Sequence, residues 1–212
     1  MQNLGIKVLF KGMNLQRLIQ GLGVTGRIAF TSIIIGSIIG ILLGIVWTSK
    51  SRIIRFLCRL YLEIFRIIPT LVWLFIMYFG VTTALNVDLS GETVSIIVFT
   101  LWGIAEMSDI VRGSLESLPR HQIESGKAIG LSHLGLYRYI LIPQAVRRML
   151  PGAINLATRM VKTTSLVVLI GVIDVIKVGQ QIIELSRLEV PTASFWVYGF
   201  VFIQIHKPKM ML

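Results

Sequence analysis

IAFTSIIIGSIIGILLGIVW, residues 28–47, is a run of 20 residues with no charge and no proline. A helix needs about 20 predominantly apolar residues to cross roughly 30 Å of hydrocarbon, so this stretch fixes the solvent in which the chain folds. Three further stretches compete for the same role, near Ile67–Leu85, Val94–Val111 and Leu150–Ile173. Pro69 opens the first of these at a position that a first helical turn tolerates. A fifth, Ser194–Ile205, is cut short: about 12 residues rise only about 18 Å. Composition agrees, with 54% hydrophobic and 15% charged residues and a mean hydropathy of +0.79, against about 25% charged in soluble domains. So few charges exclude an ordinary cytosolic globule, and so many apolar residues exclude disorder. Coiled-coil, collagen and zinc-ribbon patterns are missing, and Cys58 alone cannot form an internal disulfide. The expectation is an all-α polytopic membrane bundle of about five transmembrane helices.

Lys and Arg number 21 against 10 Asp and Glu, a net charge of +11. In a soluble chain this balance would suggest nucleic acid. Here the basic residues sit between the apolar runs, where retention of positive charge on the cytoplasmic side is the simpler cause. Lys50, Arg52, Arg55, Arg59 and Arg66 separate spans one and two; Arg112, Arg120, Lys127, Arg138, Arg147 and Arg148 separate spans three and four. The other two connections carry few basic residues, Asp88 and Glu92 in one and Asp174, Lys177, Glu184, Arg187 and Glu189 in the other. The basic connections are therefore cytoplasmic and the N-terminus external, against the vote of Lys7, Lys11, Arg17 and Arg27. Residues 1–17 read as a tail or an interfacial helix, and the apolar run that follows is too long for a signal peptide. Gly36, Gly40 and Gly44 repeat every four residues, so one face of span one allows close helix approach, either within the chain or at a subunit interface.

The connection over residues 113–149 is far longer than the roughly 2–8 residues usual between helices, yet apolar positions recur in it at helical spacing. Ser117 and Pro119 predict a helix start, and Arg120–Ile129 a helix ending at Gly130 in a positive-φ position. Ser132 would cap a second helix through Ile140 that Pro143 terminates. Such a hinged hairpin suits a groove on another protein, while its basic residues would also suit anionic headgroups.

Glu124, Gly130, Ile140 and Pro143 stand at offsets 0, +6, +16 and +19. This resembles the E-A-A-x3-G-x9-I-x-L-P loop of inner-membrane permease subunits of ABC importers, with Ser125, Gly126 and Ile142 as departures. Glu63–Leu71 resembles the E-x-F-R-G-T-P-L-L signature of the polar amino acid branch of that family, Ile67 and Ile68 replacing Gly and Thr. Ala105-Glu106 with Val111-Arg112-Gly113 is similar to its A-E-x-x-R-G stretch, and Lys162–Leu166 with Ile170–Val172 to its K-[DN]-T-S-L and I-G-V run. The resemblance covers about residues 18–205 and implies a MetI-like transmembrane domain with an external N-terminus. It implies coupling through Glu124, Ser125, Gly126, Gly130, Leu131, Ile140 and Pro143 to a dimer of ATP-binding subunits. It also implies a second permease subunit, the same or related, and an extracytoplasmic substrate-binding protein in a bacterial cytoplasmic membrane. ATP would be held by the partner subunit, with no cofactor on this chain. The family's last helix would continue to a basic cytoplasmic end, so residues 206–212 read as a shortened or altered terminus.

Charges within hydrocarbon are costly and call for partners. Glu106 and Asp109 share a face of span three, and Arg159 and Lys162 a face of span four, each at i,i+3. Glu106 lies roughly 13 Å and Arg159 about 16 Å from the cytoplasmic ends of their spans, close enough in depth for an ion pair. Lys162 reaches deeper, at about 21 Å. These residues either lock the two spans or meet a substrate carboxylate. No phosphate-binding G-x-x-x-x-G-K-[ST] loop occurs, His121, His133 and His206 never form H-E-x-x-H, and Lys162 with Ser165 is a weak imitation of a Ser-Lys dyad. The sequence thus points to a transport subunit rather than an enzyme, with a degenerate, ATPase-binding but non-transporting subunit as the alternative.

Overall fold

The computed structural model describes residues 5–206, and among these there are helices and no strand. A short turn, Lys7–Phe10, leads into α1, Asn14–Trp47. Then come α2 (Arg52–Ile67), α3 (Thr70–Leu85), α4 (Gly91–Glu116), α5 (Arg120–Ala128), α6 (His133–Leu136), α7 (Ile142–Thr163), α8 (Val175–Ser186) and α9 (Ala193–His206). Residues 207–212, most of the tail expected to be atypical, lie outside the described residues.

Among the described residues, three stretches are long and apolar enough to cross a bilayer: α1, α4 and Leu134–Ile170. The pair α2–α3 supplies a fourth only as a broken span, bent by 94°. The apolar part of α9 is shorter. The break follows from Pro69: the preceding Ile68 is pushed out of the helical region to φ −80°, ψ 122°, and Pro69 O accepts the first bonds of α3 from Val72 and Trp73.

Several sequence expectations are corrected. The first helix begins at Asn14 and runs without a break past the boundary expected at residue 17. The connection containing Arg52–Arg66 is not a loop but the 16-residue helix α2, whose apolar and basic positions alternate at helical spacing. Ser117 caps nothing; its hydroxyl donates to Ser114 O and accepts from Arg148, and Pro119 precedes α5. Pro143 does not end a helix. A π-helical turn over Tyr137–Leu141 joins α6 to α7, and Ile142 N donates to Tyr137 O five residues back. This shifted pairing places Pro143 in a first turn, where its missing N–H costs nothing.

The chain gathers into two compact units. One comprises Met1–Phe30, Leu74–Ile96 and Val161–Leu212. Its core joins Val8, Leu9 and Leu18 to Val175, Val178 and Ile182 of α8 and Val197 and Val201 of α9. Asp174, fully buried, caps α8 by accepting from Lys177 N at 2.9 Å. The second unit comprises Thr31–Trp73 and Ile97–Met160. There the glycine face of α1 lies directly on α4. A Cβ at Gly36 would stand 3.3 Å from Gly103 Cα, one at Gly40 2.6 Å from Met107 Cβ, and one at Gly44 2.7 Å from Ser108 O. The glycine stripe is thus filled by the chain's own α4.

Candidate functional site

Both sequence-singled regions, Lys162 excepted, fall in the second unit. The first is a line of charges beginning inside α4. Glu106 is 8% exposed; its Oε2 accepts from Arg159 Nη2 of α7 at 2.5 Å and its Oε1 from Arg66 Nε of α2 at 3.4 Å. Arg66 Nη2 donates to Asp109 Oδ2 at 3.1 Å, Arg112 Nη2 to Asp109 Oδ1 at 2.6 Å, and Arg112 Nη1 to Glu116 Oε2 at 2.6 Å. Cations and anions alternate along Arg159, Glu106, Arg66, Asp109, Arg112 and Glu116, so the six charges sum to zero. That neutrality is what a low-dielectric surrounding requires of ionised groups. Two rings extend the line. The Arg159 guanidinium stands 5.6 Å from the Trp102 ring centre and that of Arg112 4.8 Å from Trp47, within cation–π range.

The helices hold these groups for local reasons. Arg66 occupies the last turn of α2, and α2 is fastened to α4 by Tyr61, whose hydroxyl donates to Leu101 O at 2.7 Å. Phe65 stacks on Trp73 across the bend, with centroids 4.8 Å apart and planes at 20°, so the sharp turn is packed on its inside. On α4 the i,i+3 spacing sets Glu106 and Asp109 on one face, and Gly152 of α7 lies against Ile110, where an added Cβ would be 3.0 Å from its Cγ2.

Of the charges expected to meet, Glu106, Asp109 and Arg159 share this line. Lys162 lies in the other unit, is exposed, and has no carboxylate partner among the described residues. Arg66 and Arg112 were absent from the expected set. Depth counting along spans three and four omits any cation brought in from a third helix, and Arg66 comes from α2, which Tyr61 fastens to α4. A signal for both existed in the Glu63–Leu71 and Val111–Gly113 segments, where each arginine belongs to the motif.

The second region is the hairpin of α5 and α6. Gly130, at φ +80°, closes α5 in a Schellman turn: Leu131 N donates to Gly126 O and Gly130 N to Lys127 O, both at 3.0 Å. Ser132 Oγ then accepts from Gly135 N at 3.2 Å, capping α6. Gly126 is buried under the second leg, where a Cβ would stand 2.5 Å from Leu136 Cδ1 and 3.3 Å from Ile140 Cδ1. Leu136, Leu141 and Ala145 form a small core with Leu118, joined by Leu115, Ile123 and Ile140. Arg148 ties its base, donating to Ser117 O at 2.5 Å and to Ser117 Oγ at 2.9 Å. Glu124, Ser125 and Pro143 are exposed and Leu131 partly so. The hairpin also turns large apolar side chains outward: Ile129 is 76%, Leu134 78% and Tyr139 69% exposed.

Residues 36–205 match the family model described as the binding-protein-dependent transport system inner membrane component. The "Probable amino-acid ABC transporter permease protein YckA" of Bacillus subtilis is 33% identical over 159 residues, covering 75% of this chain and 70% of its own length. The "Octopine transport system permease protein OccM" of Rhizobium meliloti is 29% identical over 197 residues, covering 89% and 80%. Among solved structures, the crystal structure of an amino acid ABC transporter with histidines superposes with a TM-score of 0.82 at 22% identity, over 93% of this chain and 91% of that one. An inward-facing MetNI methionine ABC transporter gives 0.70 at 20% identity, covering 93% of each chain. The helical order, the neutralised charge line and the Schellman-closed hairpin therefore stand in a chain that belongs to the family of binding-protein-dependent transport system inner membrane components.

Proposed function

We propose that this chain is the permease subunit of an ATP-driven importer that carries amino acids, polar ones, across the cytoplasmic membrane. It has an external N-terminus and presents α5 and α6 to an ATP-binding partner inside. The hairpin carries this reading. It is a rigid two-legged projection that turns Ile129, Leu134 and Tyr139 outward, and such exposed apolar groups on a packed base mark a protein contact. The basic connections containing Lys127, Arg138, Arg147 and Arg148 favour the cytoplasmic side for it. Glu124 offers a carboxylate to a basic residue of the ATPase, while Gly126 and Gly130 keep the legs close and the turn tight.

ATP hydrolysis belongs to that partner, and an external binding protein delivers substrate to a pair of permease subunits. The names of the relatives YckA and OccM support an amino acid or amino-acid-derived cargo. Glu106, Asp109 and Arg159 supply charges of both signs that a zwitterion could meet, Lys162 being a separate candidate cation, and the closed Arg159–Glu106 pair favours a lock in the state described. Transport of labelled amino acids by permease-null cells carrying the chain tests the reading, alongside copurification with the ATPase. Uptake and copurification together support it. ATPase binding without uptake of any amino acid would overturn the transport reading in favour of a non-transporting subunit, and the absence of both uptake and copurification would sink the proposal.

A further inference from the structure

Helix α2 has three faces. Cys58, Leu62 and Phe65 are buried within their unit. Ile53, Leu57, Leu60 and Ile64, spaced i, i+4, i+7 and i+11, form an exposed apolar stripe. Between these faces run Arg52, Arg55 and Arg59, at i, i+3 and i+7, and they border a cavity of about 630 Å³ that Trp47 also lines.

The charges around that cavity are not balanced. Its inner wall, Arg66, Asp109 and Arg112, belongs to the closed chain of ion pairs. None of Arg52, Arg55 and Arg59 has a carboxylate partner among the described residues, and Glu63 is the one acid beside them outside that chain. The excess is two positive charges facing one pocket. Guanidinium groups in a row match phosphate oxygens through paired N–H donors.

We propose that this pocket seats the phosphate headgroup of an anionic phospholipid, whose acyl chains lie along the apolar stripe. A free phosphate would satisfy the arginines but make no contact with Ile53, Leu57, Leu60 and Ile64. A lipid covers both surfaces at once, as a helix with one basic and one apolar face does at a membrane interface. The indole of Trp47 at the rim is a further interfacial group. This inference needs the chain to sit in a bilayer but does not need it to transport.

The test is native mass spectrometry of the full chain, purified in a neutral detergent and titrated with phosphatidylglycerol or phosphatidylcholine. Wild type should retain phosphatidylglycerol in clear preference. Replacing all three arginines (R52Q/R55Q/R59Q) should weaken that binding on the order of 100-fold, at a factor of about five per basic group. The charge-keeping R52K/R55K/R59K variant should retain most of it, which separates loss of charge from loss of fold. Arg187→Gln, exposed and in the other unit, should change nothing. Equal retention of both lipids, an unaltered glutamine variant, or full displacement of phosphatidylglycerol by millimolar inorganic phosphate would overturn the proposal.

Discussion

Replacing Gly44 and Gly23 by alanine, one at a time, should raise stability at Gly23 but not at Gly44, although both lie in α1. At Gly23 an added Cβ meets nothing within 4 Å. The change there acts on the helix alone and should stabilise by up to about 1 kcal/mol, the difference in helix propensity. At Gly44 the same methyl would stand 2.6 Å from Val111 Cβ and 2.7 Å from Ser108 O, where ordinary contact begins at 3.4 Å. Neither atom is the loose end of a side chain, so α1 and α4 must part by about 0.8 Å or distort. Overpacking of this kind costs about 1–3 kcal/mol, which outweighs or cancels the propensity gain. At about 2–4 °C per kcal/mol for a chain of this length, Gly23→Ala should melt about 2–4 °C higher than wild type. Gly44→Ala should melt between unchanged and about 8 °C lower. Thermal unfolding of the purified variants in one detergent reads both. If Gly44→Ala rises in step with Gly23→Ala, the direct seat of α1 on α4 is wrong.

Glu106→Gln leaves Arg159 and Arg66 without their shared carboxylate and should destabilise by about 1–3 kcal/mol, whereas Glu116→Gln removes only an exposed i,i+4 pair and should cost about 0.5 kcal/mol or less; melting of the two variants compares them directly. Gly130→Ala forces a Cβ into the left-handed region at about 1–2 kcal/mol. Copurified ATPase should fall with it while membrane abundance of the chain holds. Burial pushes the Asp174 carboxyl above its ordinary range, so the folded state holds this proton more tightly than the unfolded chain does. Its contribution therefore favours folding at low pH and is lost as pH rises through the ordinary carboxylate range and up to the raised native value. Asp174→Asn keeps the cap and should gain on wild type in melting temperature between pH 4 and pH 7; a gain that is the same at both pH values would refute the buried-charge account.

How much of this was legible in the sequence depended on whether the signal was local. Gly130 could be placed because a positive-φ stop needs only its own neighbours, and the structure puts it at φ +80° in the expected turn. The helical part of Arg52–Arg66 was hidden by its charge: four arginines in a short apolar-interrupted stretch count as a basic loop when the question is sidedness, yet the same spacing is an amphipathic helix. Pro143 misled for the opposite reason. Its missing N–H ends an α-helix, but the π-helical turn before it re-registers the bonds, and nothing in Tyr137–Leu141 announces that turn. The proximity of Arg66 to Glu106 and Asp109 was out of reach because it depends on the packing of α2 against α4, a tertiary fact that counting depth along single helices cannot supply.

That quiet π-helical turn makes the hairpin's second leg mechanically continuous with the helix bearing Arg159. Leu134 to Arg159 is 25 residues, about 38 Å of rod at 1.5 Å per residue. Rocking such a rod by about 5° about its hairpin end displaces Arg159 by about 3 Å, more than the slack of any hydrogen bond. A nudge at the hairpin would thereby be magnified at the distant Arg159–Glu106 pair, with Pro151, inside α7, as the place along the rod where it can give.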